Sequence, residues 1–203
     1  YGADSARWFM LSDSPPEKDI KWSESGINGA WKICQKIWNL IIQNKEYLSM
    51  NAASQNIVFE GNALSLMKLV HQNLKSVTES IEKFQMNVAI AKVFELVNAI
   101  SKFETVKEDD KHAVAQSLKI LIRIIEPIVP HLAEECWEFT NNTNSLLNEP
   151  WPKANELYLI NNEVTVVVQI NGKRRGEVLV KKDSSEEDIY NELKNVSNIN
   201  NAI

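Results

Sequence analysis

The chain has 203 residues, 44% of them hydrophobic and 24% charged, with 22 lysines and arginines against 27 aspartates and glutamates for a net charge of −5. This is ordinary globular composition, long enough to bury a sizeable core in one or two domains. The acidic balance argues against a protein that coats nucleic acid generally, and no apolar run approaches the ~18 residues of a membrane span.

In chain order, residues 3–12 ("ADSARWFMLS") read as a short helix with Ala6, Phe9 and Met10 toward a core. Pro15 and Pro16 break it, because neither has an amide proton and Ser14 is pushed toward extended geometry. Ser23 is a plausible N-cap for a helix over about 24–44, whose apolar residues Ile27, Ala30, Trp31, Cys34, Ile37, Trp38, Ile41 and Ile42 recur at steps of three and four. The polar stretch from Asn44 to Asn62 reads as a loop. A second stripe (Leu64, Met67, Leu69, Val70, Leu74, Val77, Ile81) and a third (Val88, Ala91, Val93, Phe94, Val97, Asn98, Ile100) follow. The acidic run Lys107–Asp110 is expected to close the third helix. Leu118, Leu121, Ile122 and Ile125 mark another, which Pro127 and Pro130 kink or split before "HLAEECWEF". The first ~155 residues therefore form an all-helical bundle.

At "NNTNSLLNEPWPKANE" the texture changes, and the apolar period falls from 3.6 to two over Val164, Val166, Val168 and Ile170. A boundary near 155–162 follows, then a hairpin and a short helix, "SSEEDIYNELK", capped at Ser184 or Ser185. Residues 164–182 carry five cations (Lys173, Arg174, Arg175, Lys181, Lys182) against Glu177 alone, so one basic stripe sits on an acidic chain.

A two-residue Asn171-Gly172 loop would set Val168 against Arg175 and Val166 against Glu177. A three-residue, bulged turn with Gly172 left-handed puts Val166 on one face with Gly176, Val178 and Val180. Lys173, Arg175 and Glu177 then join Thr165 and Gln169 outside, and Arg174 falls on the core side with its head snorkelling outward. Read alone, such cations fit the protection of an edge strand.

The segment "YGADSARWFMLSDSPPEKDIKWSESGINGAWKICQKIW", the helix "KFQMNVAIAKVFELVNAI", "PIVPHLAEECWE" and the hairpin "VVVQINGKRRGEV" occur here in one order across nearly the whole chain. Together they resemble the leucyl-tRNA synthetase family of bacterial type. The Pro-His-x-Ala-Glu element by itself is shared with valyl and isoleucyl relatives; its combination with the hairpin is much more specific to the leucine enzymes. The resemblance implies a mainly α fold, an antiparallel helix bundle of the class I synthetase anticodon-binding type followed by a small ββα domain. Its divisions would be a junction segment over 1–22, a helical domain over 23–158 and a C-terminal domain over 163–203. The family activates leucine with ATP and magnesium and transfers it to tRNA(Leu). The chain contains no His-Ile-Gly-His element, no Lys-Met-Ser-Lys-Ser loop and no editing domain. It is therefore expected to be a C-terminal piece with no catalytic residues and no cofactor of its own.

The same resemblance implies that Lys173 and Arg175 contact tRNA, with Arg174, Lys181 and Lys182 beside them and Gln169 and Asn171 adding hydrogen bonds to a sugar. It also implies that Asp4, Arg7 and Trp22 support the junction with the catalytic domain. The expected partners are tRNA(Leu) and the parent's catalytic and editing domains, with no membrane. The chain ends at "NVSNINNAI", short of the family's last strand, so the final domain is expected to be loose, or paired through its sheet edge in an otherwise monomeric protein.

Other features point to structure. His71, His112 and His131 have no metal-ligand spacing, Glu134, Glu135 and Glu138 read as a solvated face, and Trp31, Trp38 and Trp137 fall on apolar stripes. Cys34 and Cys136 form neither a disulfide framework nor a paired zinc site, and Tyr1–Asp4 is no signal-peptide start, so a cytoplasmic protein is expected. Arg123, within an apolar helix, is either a snorkelling surface residue or a phosphate contact. The rival classes are a helical protein-binding module and a valyl or isoleucyl relative. The lack of a cysteine-paired zinc element and of a long terminal heptad run weighs against the latter.

Overall fold

A computed structural model describes residues 1–15, 17–49, 57–160, 163–170, 173–181 and 184–185, with side chains in the strands described at 166–168, 176 and 177. The chain divides into two compact units, Tyr1–Leu159 and Ile160–Ile203.

The first unit is a helix bundle. Its helices are α1 (Ala3–Asp13), α2 (Glu24–Gln43), the single turn α3 (Lys45–Leu48), α4 (Gly61–Glu82), α5 (Met86–Lys102), α6 (Glu108–Ile125), α7 (Pro130–Phe139) and the single turn α8 (Glu156–Leu159). Helix α4 packs on α5 and α6, α1 on α2 and α5, and α6 on α7. Helix α6 is the centre of the bundle. It buries Ala113, Val114, Ala115, Leu118, Leu121, Ile122, Ile124 and Ile125, too wide an arc for a helix with one face in water.

The expected α2 is present and starts at Ser23, whose Oγ accepts the Gly26 amide at 3.1 Å. Its buried face is turned from the expected stripe, however. Ile33 and Leu40 are buried, Trp31 and Ile42 are exposed, and Cys34 and Trp38 lie at the margin. The apolar arc of α2 is wider than the interface, so spacing alone did not fix its centre. Branched aliphatics fill the interior, while Trp38 leans on Phe139 at the edge, ring centroids 5.3 Å apart. Helix α5 is turned in the same way: Ala89, Ile90, Val93 and Leu96 are buried, and Val88, Ala91 and Phe94 are exposed. On α1 the inward residues are Trp8 and Phe9, and Met10 points to solvent. Gly26 permits that contact, since a Cβ there would lie 2.4 Å from the Phe9 ring.

The acidic run begins a helix instead of closing one. Helix α5 ends at Lys102, and Asp110 in the first turn of α6 reaches back to accept the amides of Val106 (3.0 Å) and Lys107 (2.8 Å). Carboxylates there also face the positive end of the α6 dipole. At the other end, α6 stops at Ile125 and Pro130 opens α7, as the proline spacing predicts. Glu134 departs from the expected solvated face. Both its oxygens accept the Leu146 amide (3.2 and 3.0 Å), holding a 3-10 turn at Leu146–Asn148.

Residues 150–158 run as a strap over α4 and α6. The Arg123 guanidinium donates to the Pro150 carbonyl, Trp151 Nε1 donates to Thr78 Oγ1 (2.9 Å), and the Asn155 amide donates to His71 Nδ1 (3.1 Å). Tyr158 stacks on the His71 ring at 4.9 Å. Arg123 is thus occupied within the fold. Burial pushes the His71 pKa down, which keeps Nδ1 free to accept. Below the ordinary histidine range, near pH 6.5, the unfolded chain binds a proton that folded His71 resists. The stability this group contributes is therefore whole above about pH 6.5 and is lost as pH falls toward its lowered folded value. Melting curves between pH 7 and pH 5 are expected to fall more steeply for the parent than for His71→Gln, whose amide oxygen accepts the same bond without titrating. Parallel curves would refute this.

In the second unit, β1 (Glu163–Ile170) and β2 (Lys173–Lys181) form an antiparallel pair. The helix expected over 186–194, and the tail after it, lie outside the described residues.

Candidate nucleic-acid interface

The register of the hairpin satisfies both constraints that the sequence set against each other. Ile170 stands opposite Lys173, so only Asn171 and Gly172 separate the strands, and these two lie outside the described residues. Gln169 then pairs with Arg174, Val168 with Gly176, Val166 with Val178 and Val164 with Val180. Arg175 is the extra residue of an irregularity between the second and third pairs. The expected bulge therefore exists, but two pairs from the turn instead of within it. An Asn-Gly loop favours the two-residue connection, and one inserted residue then restores side-chain parity to the valines. Val166, Val168 and Gly176 are half-buried while Val167 and Glu177 are exposed, as that parity requires.

The shift changes the register of the cations. Arg174, expected on the core side, pairs with Gln169; Lys173, expected outside, pairs with Ile170. Lys181 stands opposite Glu163 at the far end of the ladder, and Lys182 lies outside the described residues. Lys173, Arg174 and Arg175 thus follow the turn consecutively, with Arg175 at the bulge, where the backbone bends and the local twist rises.

Asp4, Arg7 and Trp22 belong to a different place. Asp4 Oδ2 accepts the Leu132 amide at 2.6 Å, and Oδ1 lies 2.9 Å from His131 Nδ1. Helix α7 has no side-chain cap of its own, so α1 supplies one. One turn further along α1, Arg7 donates to the carbonyls of Ile128 (3.1 Å) and Pro127 (3.0 Å), just past the end of α6. An anion thus faces the positive end of α7 and a cation the carbonyls where α6 breaks off. Trp22 is 60% exposed and meets Phe9 edge-on at 5.2 Å.

One polar surface escaped the sequence reading. A cavity of about 330 Å³ between α2 and α5 is lined by Lys32, Gln35, Lys36, Asn39, Gln43 and Ser101 with Leu40. Lys36 Nζ donates to Asn98 at 2.7 Å, and among the described residues no carboxylate lines the groove. Its signal was a stripe of amides and lysines at steps of three and four, the reverse side of the apolar stripe on α2. A second cavity, about 510 Å³, is largely apolar and includes Trp31, Cys34 and Trp38. Burial raises the Cys34 thiol to about 11 and the Cys136 thiol to about 12, so neither is a thiolate nucleophile near neutral pH. Among the described residues no group of three His, Cys, Asp or Glu side chains could hold a metal ion, and no helix is long and apolar enough to cross a membrane.

The family model described as the anticodon-binding domain of tRNA ligase matches residues 64–190. A protein of Parvibaculum lavamentivorans named leucine–tRNA ligase is 40% identical over 189 residues, covering 93% of this chain and 22% of its own length. A leucine–tRNA ligase of Rhizobium leguminosarum bv. trifolii is 40% identical over 209 residues, covering all of this chain and 24% of its own length. The chain thus spans about a quarter of the length of such relatives. In solved structures, the crystal structure of the ternary complex of Agrobacterium radiobacter K84 LeuRS with tRNA and LeuAMS superposes with a TM-score of 0.78, covering 98% of this chain and 26% of that one. At 22% sequence identity that likeness is one of fold.

Proposed function

The chain belongs to the anticodon-binding domain family of tRNA ligases, and from that premise we propose that it is the tRNA-docking part of a cytoplasmic leucine–tRNA ligase. The observation that carries the choice of leucine is the identity of about 40% to proteins of that name, over matches that cover 93% and 100% of the chain and so take in bundle and hairpin alike. In this reading activation of leucine with ATP and magnesium belongs to the rest of a longer enzyme, and this part does no chemistry. Its task is to hold tRNA(Leu), by shape and by charge. The cations following the hairpin turn supply the strongest local attraction: residues 164–182 carry +4 in a chain of net charge −5, leaving −9 on the rest. Lys173 and Arg175 bind the tRNA backbone, Arg174, Lys181 and Lys182 add to the field, and Gln169 and Asn171 reach sugar hydroxyls. The acid-free groove between α2 and α5 offers the bundle a second backbone contact through Lys32 and Lys36. Asp4, Arg7 and Trp22 keep α1 in place and so present the start of this unit to the preceding domain.

The test is a titration of the intact chain with tRNA(Leu) and with one unrelated tRNA at two salt concentrations. Binding that weakens with salt and favours tRNA(Leu) is expected. Failure to bind either RNA at the lower salt would overturn the reading and leave a helical protein-binding module in its place.

A further inference from the structure

The turn between α4 and α5 holds a residue that suits neither its backbone nor its surroundings. Helix α4 ends in a complete Schellman motif: the Phe84 amide donates to the Ile81 carbonyl (3.0 Å) and the Gln85 amide to the Ser80 carbonyl (2.8 Å). The residue at the left-handed position of that motif is Phe84, with φ of 59°. Glycine is the usual occupant, and asparagine the next, because a Cβ in this conformation crowds the following carbonyl. The chain follows that rule elsewhere, placing Asn141 (φ 64°) just past the end of α7. At Phe84 it does not, and little burial offsets the strain: the residue is 74% exposed. An apolar side chain in water on a strained backbone marks a place where function, not folding, selects the residue.

Taking the tRNA reading above as its premise, the geometry points to Phe84 as a stacking platform for one unpaired base of the RNA. The flanking residues fit that ligand. Lys83, Gln85 and Asn87 offer a cation and two amides that can reach a base edge or sugar, and Glu79 and Glu82 one turn back disfavour a site built on phosphate. The ring's immediate chain neighbours, Lys83 and Gln85, are polar and exposed, unlike the apolar rim that shields a protein-protein hot spot from water. Stacking uses the face of a base, carries no charge and tolerates any base. This contact therefore differs from the hairpin in how it responds to salt.

The experiment compares the intact chain with Phe84→Gly and Phe84→Tyr, measuring melting temperature and tRNA(Leu) affinity at two salt concentrations. Phe84→Gly is expected to melt no lower than the parent, because glycine relieves the backbone, yet to bind about tenfold more weakly. That factor should be the same at both salts, since no counterion is released by a phenyl ring. Phe84→Tyr keeps the ring and should bind within about twofold of the parent. Unchanged affinity in Phe84→Gly, or an equal loss in Phe84→Tyr, overturns the stacking site while leaving the tRNA reading intact. If Phe84→Gly abolishes self-association in sedimentation without changing RNA affinity, the ring is a contact between two copies instead. A parent that binds no tRNA fails the reading itself, and the platform with it.

Discussion

The double substitution Lys173→Ala with Arg175→Ala is expected to weaken tRNA(Leu) binding about thirtyfold at about 0.15 M salt, and to flatten the salt dependence. Each cation placed on a phosphate contributes about 0.9 to the slope of log K against log salt on a duplex and less on a single strand. Two of them therefore contribute a slope of about 1.8, which between about 0.15 M and a 1 M reference state is the thirtyfold quoted. The prediction rests on position. Both residues follow the Asn-Gly turn closely, and Arg175 is the bulged residue of β2, so neither is needed for the paired valines farther along. The fold of the first unit should be untouched, which an unchanged circular dichroism melt of the variant would confirm. An unaltered slope would remove the hairpin from the interface and leave the groove of Lys32 and Lys36 as the basic surface to test.

For stability, the largest single-residue effect outside the aliphatic core is expected at Asp4. Among the described residues its carboxylate is the only side-chain acceptor for the Leu132 amide, its side chain is only 13% exposed, and it faces the positive end of α7. Asp4→Ala strands a helix N-terminal donor and removes the favourable charge, a loss of about 2 kcal/mol. In a unit of this size that lowers the melting temperature by roughly 4–8 °C. Asp4→Asn keeps an oxygen for the Leu132 amide but removes the charge, so about half the loss should return. If the two variants melt together, charge is the whole effect and the hydrogen bond adds nothing.

How legible these features were depended on whether one local pattern decided the outcome. The start of α2 at Ser23 and the break at Pro127 and Pro130 were readable because each rests on a backbone amide that a neighbouring residue satisfies or lacks. The facing of α2 and α5 was not, because Ile33 and Cys34, or Val88 and Ala89, differ by one position and both lie on apolar arcs. Only the partner helices decide which of them is buried. The acidic run before α6 was misassigned because charges mark a helix boundary without saying on which side the helix lies. In the hairpin, parity of the valines was correct and the site of the bulge was not, since any extra residue between the turn and Gly176 restores the same parity. Asp4 and Arg7 could not be seen as a clasp from spacing, because their partners lie more than a hundred residues away in the chain. The polar groove was open to reading, in the amides and lysines of α2, but only if the solvent face of a helix is examined as closely as its buried one.

That clasp also sets a schedule for synthesis. Asp4 finds its amide 128 residues later, and Arg7 its carbonyls 120 and 121 residues later. A ribosome adding about 5–20 residues per second needs on the order of ten seconds to cover that distance. Until then α1 can lay Phe9 against Gly26 on α2, but it cannot be fastened, and the far end of its surface stays open. The helix made before the others of this unit is thus among the last of them to be secured, and the break between α6 and α7 is the event that secures it.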